Sequence, residues 1–267
     1  MKFKLCDATS LDIVKTFECG QCFRWNANDK GVYTGVVGRY LAEVETVDNE
    51  VYITSDAPAE MWADYFDLAT DYAAVSADFT GEYLHECIDY GMGIRILRQD
   101  SWEALCSFII SQCNNITRIK GIVERLCEQF GDKCEANGVS YYTFPSAERL
   151  AALRPSDLAG IRSGYRAEYI IAAARAVTQG ELDLDALKTC DYREAIKTLR
   201  QIRGVGEKVA NCVVLFGLYH MEAFPIDVWM KRALKEHFPA DFDPTSLGAY
   251  AGLAQQYIFY YARSGGK

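Results

Sequence analysis

The chain has 267 residues, 50% of them apolar and 24% charged, which is ordinary globular composition and enough for one large core or two or three smaller ones. No window holds the roughly 18 uninterrupted apolar residues of a membrane helix, and no repeat or low-complexity tract is present. The ten cysteines do not read as a disulfide framework, which belongs to short secreted chains.

Several of those cysteines (Cys106, Cys113, Cys127) sit in apolar helical stretches and are expected to be buried free thiols of a reducing compartment. Cys19-Gly-Gln-Cys22 has a metal-like spacing, but no second pair follows at finger distance, so no metal site is expected. Met1-Lys2-Phe3-Lys4-Leu5 lacks the apolar run of a signal peptide. The expectation is a soluble protein that is not secreted. The net charge of −9 argues against a nucleic-acid partner until its distribution is read. From Glu43 to Asp89 there are thirteen acidic residues and no Lys or Arg, leaving 24 of the 37 acidic residues against all 28 basic ones elsewhere. The acidity belongs to one segment, and a DNA-facing surface on the rest is allowed.

In chain order, the first fifty-odd residues are β-rich. Val32 to Val47 is dense in β-branched and aromatic residues, Asp48-Asn49-Glu50 makes a turn, and Val51-Tyr-Ile-Thr54 follows. Pro58 opens a helical stretch, with Asp56 placed to cap it. From about residue 90 the period changes to helical. Asp100-Ser-Trp-Glu103 has the capping-box pattern, and the run after it is apolar on every side, which predicts a central helix. Further helices are predicted over 116–130, 164–177, 191–200, 206–219, 226–237 and 247–262. The fold class is therefore α+β: an N-terminal antiparallel sheet domain over 1–90, then a mostly helical body over 91–267 with a helix-hairpin-helix near 194–219.

The chemistry concentrates in Leu199-Arg-Gln-Ile-Arg-Gly-Val-Gly-Glu-Lys-Val-Ala-Asn-Cys212. A helix ends, Gly204-Val205-Gly206 makes a tight turn, and a second helix starts at once. Its exposed amides suit a phosphate oxygen. Lys208 falls in its first turn, where a positive charge meets the positive helix end. That position and partial burial favour a neutral amine, the nucleophile of a Schiff base; the other reading is a surface lysine touching phosphate. Nineteen residues on, Phe224-Pro225-Ile226-Asp227 offers a partly buried carboxylate at a helix start. It can cap that helix, stabilise positive charge on a sugar ring, or do both.

These residues resemble the helix–hairpin–helix superfamily of base-excision glycosylases. Cys19-Gly20-Gln21-Cys22-Phe23-Arg24-Trp25, Leu97-Arg98-Gln99-Asp100, Asn114-Asn115-Ile116-Thr117-Arg118, Gly164-Tyr165-Arg166 and Tyr250-Ala-Gly-Leu-Ala-Gln255 with Phe259 are similar, in order and over nearly the whole chain, to the 8-oxoguanine DNA glycosylase family. The resemblance implies that a damaged base leaves the stack and enters a pocket. The Gly20 carbonyl would accept from N7–H of the lesion, where undamaged guanine carries only a lone pair. Gln255 would bind the pairing edge, with Phe259 and Cys212 covering the two faces; each is four residues from another site residue, and hence on its helical face. Gly204, Val205 and Gly206 would contact backbone phosphate. Tyr165 would wedge into the duplex, and Arg118 and Arg166 would contact the orphaned cytosine, supported by Asn114 and Asn115.

Two positions depart from the family pattern. Cys113 stands where an asparagine is usual, which puts strict cytosine selectivity in doubt, and Trp229 stands where a histidine near the phosphate is common.

The implied reaction is excision of 8-oxoguanine from double-stranded DNA by Lys208, with Asp227 stabilising the sugar, followed by β-elimination. No cofactor is required. The last cysteine is Cys212, so the C-terminal four-cysteine iron–sulfur loop of some relatives is not expected, while an ion at the hairpin carbonyls is compatible with the family. One chain suffices for one site, which makes a monomer the expectation, located in a bacterial cytoplasm at the nucleoid or in a eukaryotic nucleus. The rival readings are a glycosylase for another purine lesion, which generally lacks the hairpin lysine, and a catalytically silent protein that binds damaged DNA.

Overall fold

The structure is a computed structural model that describes residues 1–136 and 138–265. It begins with strand β1 (Lys2–Asp7), short helix α1 (Ile13–Glu18) and strands β2 (Asn26–Ala27), β3 (Tyr33–Val37), β4 (Tyr40–Val47) and β5 (Glu50–Ser55). The five strands form one antiparallel sheet in the order β1-β5-β4-β3-β2. Val47 pairs with Glu50, so Asp48 and Asn49 make a two-residue hairpin, both with positive φ (49° and 65°). Asp and Asn tolerate that conformation, which matches the twist of the flanking strands. Alternate residues point inward: Tyr33, Ala42, Val44, Val51 and Ile53 are buried. They meet an aromatic cluster in which Phe17 stacks on Trp25 at 4.3 Å and Trp25 Nε1 donates to the Tyr65 hydroxyl at 2.9 Å.

Helices α2 (Ala59–Tyr65), α3 (Tyr72–Ala77) and α4 (Glu82–Gly91) follow, then α5 (Ser101–Ser111) and α6 (Ile116–Phe130). A small hairpin of β6 (Lys133–Ala136) and β7 (Val139–Tyr142) leads to α7 (Ala147–Ala151), a 3-10 turn (Pro155–Ile161), α8 (Arg166–Thr178), α9 (Leu184–Leu187), α10 (Tyr192–Leu199), α11 (Glu207–Phe216), α12 (Val228–His237), a second 3-10 turn (Pro244–Tyr250) and α13 (Ala251–Ser264). Helix α5 is central: Ala104 to Ile110 are all buried. Asp100 caps it, Oδ1 accepting from the Glu103 amide at 2.8 Å. Glu103 does not complete the capping box. Its carboxylate lies 3.5 Å from the buried Arg24 guanidinium instead.

The packing divides the chain earlier than residue 90. The sheet core runs from Leu11 to Phe66 and adds Leu97. Tyr72, Phe79, Leu84 and Ile88 pack with the helical body instead, as do Cys19 and Phe23. The two cores are joined by Arg95, whose guanidinium donates to the carbonyls of Phe66 and Thr70, each at 2.7 Å, and of Ser10 and Asp67. The buried Asp67 carboxylate ties the same junction, accepting from Tyr72, Tyr219 and Arg98. A buried charge is tolerated only with such partners.

Two expectations are corrected. Asp56 does not cap α2, whose N-cap is Pro58 with no side-chain hydrogen bond; Asp56 lies 3.6 Å from the N-terminal ammonium, which takes the carboxylate away from the helix end. Cys113 is not buried: it is exposed in the turn after α5, because the helix stops at Ser111. No described helix is long and apolar enough to cross a membrane.

Candidate active site

The hairpin joins α10 to α11. Gly204 has φ +87°, and a Cβ there would fall 2.2 Å from the Tyr169 ring. Only glycine allows both the left-handed turn and that approach. Val205 is buried beneath the turn, while around Gly206 nothing lies within 4 Å of a Cβ position. No side chain caps α11, so its first amides face outward unsatisfied by side chains, as an anion site requires. Gln112 Nε2 donates to the Gly204 carbonyl at 3.0 Å and ties the turn to the end of α5.

One face of α11 carries Lys208, Cys212 and Phe216 into a pocket completed by Cys19, Gly20, Phe108, Pro225, Asp227, Gln255, Gln256 and Phe259. Lys208 Nζ lies 3.5 Å from Ser111 Oγ and 5.5 Å from the centre of the Phe108 ring. Asp227 is the N-cap of α12, its Oδ1 accepting from the Trp229 and Met230 amides, both at 2.9 Å. Two backbone donors therefore fix the carboxylate at the rim. Cys212 is buried, and desolvation raises its pKa against the opposing charge of Lys208, so the thiol presents a neutral surface.

The opposite wall is the turn after α1. Gly20 has φ +81°, and the residues around it are held in place: Gln256 Nε2 donates to the Cys19 carbonyl at 2.7 Å, and Gln21, fully buried, bonds the Thr16 and Arg95 carbonyls and the Leu97 amide. Gln255 is buried too, but its Oε1 has no hydrogen-bond partner among the described residues. A buried amide oxygen left unpaired is costly, and here it lines a pocket beside a lysine and a carboxylate. Of four larger clefts elsewhere among the described residues, one is lined by a lysine, Lys188, and that lysine is paired with Asp185 at 2.6 Å.

Residues 5–105 match the family described as "8-oxoguanine DNA glycosylase, N-terminal domain", and residues 106–252 match "HhH-GPD superfamily base excision DNA repair protein". The chain belongs to the 8-oxoguanine DNA glycosylase family of that superfamily. It is 28% identical over 281 residues to the N-glycosylase/DNA lyase OGG1 of Arabidopsis thaliana, covering 94% of this chain and 77% of that one. The DNA-3-methyladenine glycosylase of Bacillus subtilis is 33% identical over 208 residues, 71% of this chain and 68% of its own. Among solved structures, the Clostridium acetobutylicum 8-oxoguanine glycosylase/lyase, in complex with double-stranded DNA containing cytosine opposite 8-oxoguanine, superposes with a TM-score of 0.90 at 35% identity, over 97% of this chain and 93% of that chain.

The residues that the family resemblance assigns to DNA lie on the hairpin side. Tyr165 is 52% exposed, large enough and free enough to insert into a duplex. Tyr169 packs edge-on to it at 5.6 Å, and the same Tyr169 fills the space under Gly204. Arg118 is exposed. Arg166 is not: its guanidinium is buried and donates to the carbonyls of Gln112 and Ser163. Its placement corrects the simple picture of an outward-reaching arginine. The asparagines are committed as well, Asn114 Nδ2 to the Ile110 carbonyl at 2.8 Å and Asn115 Oδ1 to the Arg118 amide as N-cap of α6. Both shape the turn through these bonds.

Cys113 sits in that turn with φ +51°, a conformation that asparagine adopts more readily than cysteine. The family's usual asparagine therefore has a backbone reason as well as a DNA-facing one. Trp229 is half-buried, with the Arg232 guanidinium 5.4 Å from its ring. Sequence reasoning missed Gln21, Gln112 and Gln256, because they bond backbone groups and no side-chain motif marks them.

Proposed function

We propose that the chain is a bifunctional DNA glycosylase and AP lyase that excises 8-oxoguanine from duplex DNA. The observation that carries this reading is one pocket holding the hairpin Lys208, the capped Asp227 and a buried Gln255 whose Oε1 awaits a partner. Among the described residues Lys208 Nζ has a hydroxyl, Ser111 Oγ at 3.5 Å, rather than a carboxylate as its side-chain partner, so using its amine breaks no ion pair. The pocket measures about 50 Å³, room for a few waters at roughly 10–15 Å³ each on that measure. Phe259, which lies against Gly20, must shift for a base to enter.

With the lesion inserted, the Gly20 carbonyl accepts from N7–H, and guanine, with a lone pair there, is repelled. Gln255 pairs with the base edge between the Phe259 ring and the neutral Cys212 thiol. The Lys208 amine attacks C1′. The C1′–N9 bond breaks with its electron pair on the base, which leaves after protonation, while Asp227 stabilises the positive charge on the sugar. The C1′–O4′ bond then breaks, its electron pair and a proton from the amine going to O4′, and the opened sugar is held as an imine. Loss of the C2′ proton then expels the 3′ phosphate as the C3′–O bond breaks, nicking the strand on the 3′ side. No step calls on a metal or redox group, and an ion at the hairpin carbonyls would serve phosphate binding only. Tyr165 wedges into the duplex beside the lesion and Arg118 reaches the orphaned cytosine, while the buried Arg166 holds the turn through the Gln112 and Ser163 carbonyls. A single chain carries the whole pocket, which suits a monomer working at the nucleoid of a bacterium or in a eukaryotic nucleus.

The test is base release under single turnover from otherwise identical duplexes carrying 8-oxoguanine, 3-methyladenine or guanine. Selective release of 8-oxoguanine is expected. Release of 3-methyladenine alone would assign the chain to alkylated purines, and binding without release would make it a silent damage binder.

A further inference from the structure

Arg263, near the end of α13, has no role in the chemistry above. It lies one helical turn beyond Phe259, with its Cζ 5.5 Å from the centre of that ring. Nη2 donates to the carbonyl of Glu18, the last residue of α1 and two residues before Gly20. Terminal helix carbonyls lack intrahelical partners and favour a cation. Nη1 is buried and has no acceptor among the described residues. It lies 3.7 Å from the point that a Cβ on Gly20 would occupy, next to Phe259 Cε1 at 3.4 Å from the same point. One guanidinium thus touches both walls of the base pocket, the aromatic wall and the glycine turn.

A charged N–H left unmade in the interior is costly. We propose that Arg263 is a positioning residue for base capture: it couples Phe259 to the Gly20 turn, so that the two walls close on an everted purine together. This rests on the reading of the pocket as a lesion site. It predicts a role confined to substrates that carry a base. An abasic site places nothing between Phe259 and Cys212, and Lys208 and Asp227 act on it unaided by the pocket.

The experiment compares wild type, Arg263→Met and Arg263→Lys on two duplexes, one with 8-oxoguanine and one with a preformed abasic site, under single turnover. Arg263→Met should slow excision roughly 10- to 100-fold, the scale of an ångström-sized misplacement, and leave abasic-site cleavage within about twofold. Arg263→Lys keeps the charge but lacks the planar two-pronged guanidinium and should recover only part of the loss. Equal losses on both duplexes would show a general structural role and overturn the proposal, as would unchanged excision in both variants. Wild-type inactivity on both duplexes would remove the lesion-site reading itself.

Discussion

Replacing Gln255 by leucine should raise stability and destroy excision at once. The side chain is buried, and its Oε1 has no partner, a penalty on the order of 1–3 kcal/mol. Leucine has a similar volume and removes the orphan, so the fold should gain about 1–2 kcal/mol, or roughly 2–8 °C in Tm for a chain of this size. The same change deletes two hydrogen bonds to the base edge and strands their partners on the lesion. That amounts to roughly 2–4 kcal/mol, or about 30- to 1,000-fold in single-turnover excision. Scanning calorimetry and a quenched-flow excision assay read the two effects on one sample. Cleavage of a preformed abasic site should survive. A variant that melts lower than wild type, or excises as fast, would refute the claim that this amide is held unpaired for the base.

The hairpin glycines should behave differently from each other. Gly204→Ala forces a Cβ into the Tyr169 ring at a positive φ and should destabilise the protein by roughly 3 kcal/mol or more, whereas Gly206→Ala, in open space, should cost less than about 1 kcal/mol yet weaken duplex binding at least about tenfold by blocking phosphate, as fluorescence anisotropy would show. Cys113→Asn, which suits φ +51° better, should stabilise by about 0.5–1 kcal/mol and raise the preference for cytosine opposite the lesion in a four-partner excision assay. Burial pushes the Glu103 carboxyl up to about 7, opposed by Arg24. Between an unfolded value near 4.5 and about 7 the folded state binds the extra proton, so stability should fall as pH rises through this window, by on the order of 3 kcal/mol at most. Glu103→Gln should flatten that slope in urea titrations at pH 5 and 8.

The elements legible in the sequence are those with a local physical signature. Helices α5 and α6 start at Asp100 and Asn115 because each side chain accepts an amide three residues on, and the Asp48-Asn49 turn is written in residues that accept positive φ. The small hairpin β6–β7 and helices α7 and α9 are too short to impose a period. At the site, spacing alone places Lys208 with Cys212, and Gln255 with Phe259. It cannot bring Gly20 to them, because that wall arrives through a tertiary contact across most of the chain, from Gln256 to the Cys19 carbonyl; family resemblance supplied it. Arg166 illustrates the converse. The family resemblance implied an outward reach, while the Gln112 carbonyl, exposed by the end of α5, draws the guanidinium inward.

The central claim is a covalent lysine intermediate in this pocket, and borohydride trapping tests it most directly. Wild type and Lys208→Gln are incubated with 8-oxoguanine duplexes bearing each of the four opposite bases, then reduced. Wild type should form a stable protein–DNA adduct, strongest opposite cytosine, and Lys208→Gln should form none. Base release without any trapped adduct would mean that water, not Lys208, attacks the sugar, and would contradict the account.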